Sequence, residues 1–306
     1  MDKIDLNDER FRISYYFSLE KLLVSLKKIG LICPPLVCQK NDKFILVSGW
    51  KRVLACLELS LSPIKAFVVC RKSNLETFLL AFYENWASRE FSPVEKSEII
   101  RKLIQFGEKK ESIIKHYFPL LKIPLTEAYL GVFLALSQFE PELKKFIDEK
   151  NLPISSVQML AEFRSQDRKL VLPLLLPLGQ NKQREILENL LEIARRYELT
   201  VKEILAAEEI QEILSSPKFS PLQKSEKIRL SLRKKRYPSL SSWRESFDFS
   251  LKKIHWPPEI EVKPSPYFED DKLSLAFSFR NKEEFKSRLS KLQKIVRKEE
   301  FSRIFR

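Results

Sequence analysis

The residues best placed to do chemistry in this 306-residue chain sit at one junction, Ser48-Gly49-Trp50-Lys51-Arg52, directly after the apolar run Phe44-Ile45-Leu46-Val47. Four β-formers in a row predict a short strand. Ser48 and Gly49 break it, Ser48 is a candidate N-cap, and helical spacing follows. Lys51 and Arg52 then fall in the first helical turn. The helix dipole already makes that end positive, so two cations there call for an anion held against the free backbone N–H groups. The chain has only five glycines, and one at this junction permits a turn with φ > 0 or the close approach of a ligand. A solvated strand–helix turn fits the same five residues, because Gly followed by two basic residues is a short motif. A second polar group, Glu84-Asn85 with Arg89 behind it, stands at the predicted end of a helix. The four cysteines, Cys33, Cys38, Cys56 and Cys70, lack a Cys-x-x-Cys pair, and His116 and His255 are remote in sequence. They read as buried thiols in a reducing compartment rather than as zinc ligands or disulfides.

The elements that must position these groups are legible from periodicity. Leu19, Leu22, Leu23, Leu26 and Ile29 share one helical face after Ser18, and Gly30 ends that helix. Pro34-Pro35-Leu36-Val37 opens a strand, Asn41-Asp42 turns the chain, and residues 44–47 return. A helix over Val53, Leu54 and Leu57 and a strand over residues 63–69 complete a small α/β unit. Leu75, Phe78, Leu79 and Phe82 make an apolar stripe leading to Glu84. Ser92-Pro93-Val94-Glu95 then has the form of an N-cap, a first-turn proline and a capping-box acid.

Lys28-Ile29-Gly30-Leu31-Ile32-x-Pro34-Pro35-Leu36-Val37, followed by a strand and Gly49-Trp50-Lys51-Arg52-x-x-Ala55, resembles the N-terminal domain of ParB-type chromosome and plasmid partition proteins. The family signature is Gly-Glu-Arg-Arg-x-Arg-Ala. Gly49, Arg52 and Ala55 match, Lys51 keeps the charge, Trp50 replaces Glu and Leu54 replaces the second Arg. A second family signature, Glu-Asn-x-x-Arg before Ser/Thr-Pro-x-Glu, matches Glu84, Asn85, Ser92, Pro93 and Glu95, with Ser88 at the Arg position and Arg89 one place on. The resemblance implies that Gly49, Lys51 and Arg52 hold CTP phosphates, that Trp50 and Arg89 belong to the same nucleotide-binding site, and that Glu84 and Asn85 hold nucleotide and Mg²⁺. Sulfiredoxin shares this fold, but Trp50 stands where its cysteine would fall, which argues against that redox chemistry.

The resemblance covers roughly residues 10–165 and places a helix-turn-helix within 108–165. A first helix is expected over residues 111–117, a turn over 118–124, and a second helix from Thr126. That second helix carries almost none of the side chains that read base edges; Thr126 and Tyr129 are the candidates for DNA contact. Residues 166–215 read as helical, punctuated by Pro173 and Pro177, and 215–221 as a Pro/Ser linker. Beyond it Lys224, Arg229, Arg233, Lys234, Lys235 and Arg236 cluster on a helix suited to DNA phosphates. Trp243, Phe247, Leu251 and Ile254 predict a second helix. Strands over 260–262 and 273–279, joined through Pro264 and Pro266, and a helix over Phe285, Leu289, Leu292, Ile295 and Val296 close the chain.

The expected fold class is α+β. It comprises a small ParB/sulfiredoxin-like α/β domain (1–73), a helical region with the helix-turn-helix (74–165), a helical extension (166–216) and a basic α/β domain (217–306). A formal net charge of +14 and a pI near 9.5 favour an anionic partner, nucleic acid first. No apolar run is long enough to span a membrane, and residues 1–5 are too polar for a signal peptide. The resemblance implies a bacterial, cytoplasmic, nucleoid-associated CTP-dependent DNA clamp, homodimeric, with a partition ATPase as partner and weak CTP hydrolysis. Two other readings share the fold, a kinase or nuclease relative and a non-catalytic scaffold. The former needs a base near the phosphates; Glu20, Glu58 and Glu84 are the candidates, and no spacing singles out a catalytic residue.

Overall fold

The computed structural model describes residues 3–69, 73–264, 273–298 and 301. Cys70, Pro266 and the side chain of Trp243 lie outside the described residues. The chain divides into two compact units, Met1–Glu188 and Asn189–Arg306, and it is a mixed α+β protein dominated by helices.

The first unit opens with β1 (Ile4–Asp5), α1 (Glu20–Ile29), β2 (Leu36–Lys40), β3 (Lys43–Ser48), α2 (Trp50–Glu58) and β4 (Phe67–Val68). The sheet order is β1-β3-β2-β4. The β2/β3 hairpin is antiparallel, with Val37 opposite Leu46, while β1 and β4 join as parallel edges. β3 is one of the two inner strands, and Ile45, Leu46 and Val47 are all buried because both faces of the sheet are covered there. Val37, Leu46, Trp50 and Val53 form a cluster on one side. On α1 and α2, Leu26, Ala55 and Cys56 form another, and Gly30 ends α1 as expected.

Helices follow: α3 (Asn74–Ser88), α4 (Pro93–Gln105), α5 (Lys110–Ser112), which continues as a π-helical turn over Ile113–Tyr117, α6 (Glu127–Ser137), α7 (Pro141–Glu149), α8 (Ile154–Glu162), α9 (Ser165–Leu175) and α10 (Gln180–Tyr197). α3 packs on β3, and α4 packs on α6 and α7. The capping box of α4 forms as read: Ser92 Oγ accepts from Glu95 N–H, and Glu95 accepts from Ser92 N–H. Pro173 lies inside α9, whereas Pro177 follows that helix.

The second unit contains α11 (Val201–Leu205), α12 (Glu208–Ser215), α13 (Pro221–Arg236), α14 (Pro238–Lys253), the antiparallel hairpin β5 (Glu261–Pro264) and β6 (Leu273–Ala276), and α15 (Lys282–Val296). The 215–221 stretch is a short connection inside this unit; Ser220 caps α13 together with Gln223. Phe247, Ile254 and Ile295 bring α14 and α15 together, while Leu289 and Val296 of α15 remain exposed.

Two local expectations change. Ser48 ends β3 rather than capping α2: Gly49 takes the N-cap position, and the Ser48 hydroxyl is spent on Glu84. Of the described thiols only Cys56 is buried; Cys38 is partly so, and Cys33 is exposed, in the irregular segment before β2 where no element covers it.

Candidate functional site

Gly49 is the pivot of the site. Its φ of +97° is left-handed, and a Cβ there would come within 2.9 Å of Pro35 Cβ, so only glycine lets the chain turn from β3 into α2 against the strand before it. No side chain caps the first turn of α2 and that turn holds no acidic residue. Its first backbone N–H groups therefore lack side-chain acceptors.

A cleft of about 240 Å³ opens at this turn. From α2 it is lined by Trp50, Lys51 and Arg52, from the end of α3 by Glu84, Asn85, Ser88 and Arg89, and from the N-terminal segment by Phe11, Ile13 and Ser14. The structure thus brings Gly49, Trp50, Lys51, Arg52, Glu84, Asn85 and Arg89 together around one cavity.

Its electrostatics are uneven. Arg52 Nη2 lies 2.8 Å from Glu84 Oε1, and Nη1 donates to the Cys33 and Pro34 carbonyls at 3.1 and 3.3 Å. Glu84 Oε2 accepts from the Ser48 hydroxyl and from Asn85 Nδ2 at 3.2 Å. Arg89 donates to Asn85 Oδ1 through Nε and Nη2 at 3.2 and 3.1 Å, to Glu95 Oε2 at 2.6 Å and to Ser14 Oγ at 2.8 Å. Lys51 differs. Among the described residues its ammonium has no hydrogen-bond or ion-pair partner, only the face of the Phe17 ring at 5.0 Å. Burial pulls its pKa down from the ordinary lysine range, the nearby Arg89 charge pulls the same way, and Glu95 offsets part of this.

Ser88, at the signature's Arg position, and Arg89 go different ways at the end of α3. Ser88 Oγ folds back to the Glu84 and Asn85 carbonyls, whereas Arg89 leaves the helix in an extended conformation and its guanidinium reaches back to Asn85. Trp50 is buried, with the Arg12 guanidinium over its ring at 4.7 Å, so it serves as wall more than as contact. Sequence reasoning missed Phe11, Ile13 and Ser14. They lie in an irregular segment without periodicity, and only the tertiary fold carries them to the cleft. Neither Glu20 nor Glu58 lines it. Among the described residues no three His, Cys, Asp or Glu side chains form a group that could hold a metal ion.

The residues singled out for DNA divide between the two units. In the first, Thr126 is exposed at the N-cap of α6 and Tyr129 is half-buried beyond it. The exposed residues of α6 are Glu127, Ala128 and Gly131, of which only Glu127 offers a hydrogen-bonding side chain to a base. In the second, Lys224 Nζ donates to the Leu214 carbonyl, Arg229 pairs with Glu226, Lys234 with Glu245, and Arg236 with Glu192 and Asn189. Arg233 also has an interaction partner, whereas Lys235 has none among the described residues. No helix among the described residues is long and apolar enough to cross a membrane.

No family model matches the chain. Curated relatives do. The probable chromosome-partitioning protein ParB of Borreliella burgdorferi is 23% identical over 163 residues, 53% of this chain and 60% of that protein. The chromosome-partitioning protein Spo0J of Thermus thermophilus is 27% identical over 151 residues, 49% of this chain and 54% of its own length. The chain is a relative of the ParB-type chromosome-partitioning proteins. A third match, a probable ParB of Campylobacter jejuni, reaches 35% identity over 88 residues, 29% of this chain and 31% of that one. The chain thus spans between about a third and three-fifths of the length of these ParB-type relatives. The crystal structure of C-terminally truncated ParB from Caulobacter crescentus with CTP-γ-S aligns with 54% of this chain and 90% of its own at 15% identity. Its TM-score is 0.26.

Proposed function

We propose that this ParB-type chain is a DNA-binding partition or regulatory protein whose N-terminal cleft binds a nucleoside triphosphate, CTP first, as a conformational switch. One observation carries the reading: Lys51, partly desolvated and without a counter-ion among the described residues, faces a cleft at an uncapped helix start. A fold keeps an unpaired cation out of water at a cost, and an anionic ligand removes that cost. Arg52 and Arg89 supply two planar guanidinium groups beside it, suited to phosphate oxygens. The nucleotide needs only different affinities for two states to act as a switch, closing a homodimeric clamp on DNA.

The net charge of +14 and the ParB-type relatives support DNA as the partner. Association with a partition ATPase and a nucleoid location follow from the same reading. The test is calorimetry of the full chain with each of the four triphosphates. CTP should bind, and Lys51→Ala should weaken it by roughly ten- to hundredfold, the value of a charge-assisted contact of about 1.5–3 kcal/mol. Absence of heat with all four rules the nucleotide reading out.

A further inference from the structure

The oxygen atoms that would have to hold a divalent cation in the cleft are already committed. Glu84 is the only carboxylate lining it among the described residues. Its Oε1 is ion-paired with Arg52, and its Oε2 takes hydrogen bonds from Ser48 and Asn85. Asn85 can ligate a metal only through Oδ1, and that atom accepts twice from Arg89. Ser14 Oγ donates to Glu95 and accepts from Arg89, and Ser88 Oγ points back to helix carbonyls. Three cations, Lys51, Arg52 and Arg89, line the same space. Mg²⁺ demands near-octahedral oxygen coordination, usually through one or two carboxylates besides phosphate oxygens. This donor set does not fit it.

We infer that the cleft takes its polyphosphate without a divalent metal, the three basic side chains supplying the counter-charge that Mg²⁺ would otherwise bring. The inference rests on the polyphosphate reading of the cleft and deepens it. A metal-free triphosphate carries more negative charge than its Mg²⁺ complex, so three cations against Glu84 in the lining and Glu95 behind Arg89 leave a net positive site that favours the free form. Lys51 is the member of the set with the most to gain, because no protein carboxylate competes for it at contact distance. The rival arrangement has phosphate pulling Arg52 away from Glu84 and the freed carboxylate then taking Mg²⁺. It requires that affinity rise with the metal and that the rise depend on Glu84.

The experiment is calorimetry of the full chain with CTP in EDTA and in excess MgCl₂, repeated with Glu84→Gln and Lys51→Gln. The expected result is binding in EDTA that is as tight as in Mg²⁺ or tighter. Glu84→Gln should leave the ratio between the two buffers unchanged, and Lys51→Gln should weaken binding in EDTA by at least roughly tenfold. In a parallel Mn²⁺ titration followed by electron paramagnetic resonance, protein plus CTP should bind no more Mn²⁺ than CTP alone. Binding that is about tenfold tighter with Mg²⁺, with the gain lost in Glu84→Gln, overturns the inference and leaves the nucleotide reading standing. No binding in either buffer overturns the nucleotide reading itself, and this inference with it.

Discussion

Lys51 and Gly49 sit two residues apart, yet substitution should act on them in opposite ways. Gly49→Ala puts a Cβ 2.9 Å from Pro35 Cβ and holds an L-residue at φ +97°. The strained backbone alone costs about 1–3 kcal/mol, so the denaturation midpoint should fall; an unchanged midpoint would show that the turn can relax. Lys51→Met replaces a half-buried cation, unpartnered among the described residues, by an unbranched apolar chain one atom shorter. Solvent screens part of the cost of that charge, so the variant should gain no more than about 1 kcal/mol while losing nucleotide affinity. Stability by urea denaturation and affinity by calorimetry should therefore move in opposite directions. A Lys51→Met protein that is less stable than wild type would mean that the ammonium is satisfied in solution. Both residues were legible from sequence because a glycine and two cations at a strand–helix junction conflict with the helix dipole. Ser14 and the pairing of Arg89 with Glu95 were not, because the contacts bridge 75 and 6 residues through an irregular segment and a helix cap.

At the scale of elements, α4 ties the cleft wall to the helical part of its unit. Glu95 at its start holds Arg89 and Ser14. Glu98 in its middle pairs with Arg101 and Lys144. Lys102 is almost fully enclosed and donates from Nζ to the Glu9 and Arg10 carbonyls at 2.6 and 2.9 Å. Burial, helped by the Arg101 charge, lowers its pKa to about 7. An unfolded lysine titrates near about 10.4. Between those two values the unfolded chain binds one proton more than the folded chain, so the contribution of Lys102 to stability rises with pH across that window. Below it both states are charged and the contribution is flat. The neutral amine still has two N–H donors for its two carbonyls. Lys102→Met should therefore flatten the rise in unfolding free energy above about pH 7, read from urea denaturation as a function of pH. An identical profile in both proteins would remove Lys102 as the cause. The α4 capping box was readable from four residues because caps are local. A lysine in a helix rich in charged residues gave no sign of its burial, since its partners are backbone carbonyls some ninety residues earlier.

For the whole molecule, the net charge of +14 makes salt dependence the quantity that locates a DNA surface. Read along the sequence, Arg233, Lys234, Lys235 and Arg236 look like four phosphate contacts, each steepening the log–log salt slope by about 0.9. Folded, they are not equivalent. Arg236 is held by Glu192 and Asn189 with little side-chain exposure, and Arg233 also has a partner. Lys234 pairs with Glu245, but both are exposed, and such a pair exchanges for phosphate at little cost. Lys235 is the one with no partner among the described residues. Charge count was legible in the sequence; which cations the fold had already committed was not, because Glu192 and Glu245 approach from other helices. Replacing Lys234 and Lys235 together by Ala should flatten the slope by about 1–2, measured by fluorescence anisotropy on duplex DNA over a salt series. Adding Arg233→Ala and Arg236→Ala should change it little further while lowering the thermal midpoint, since buried Asn189 then loses the donor to its Oδ1 and Glu192 keeps only Arg196 among the described residues. A loss of about 3–4 in slope from the fourfold variant, with the midpoint intact, would show instead that all four leave their protein partners for phosphate. An unchanged slope in the folded double variant would move the DNA surface to the first unit. There Glu127 is the one exposed side chain of α6 able to reach a base edge, beside Ala128 and Gly131, and affinity would have to come mainly from backbone phosphates.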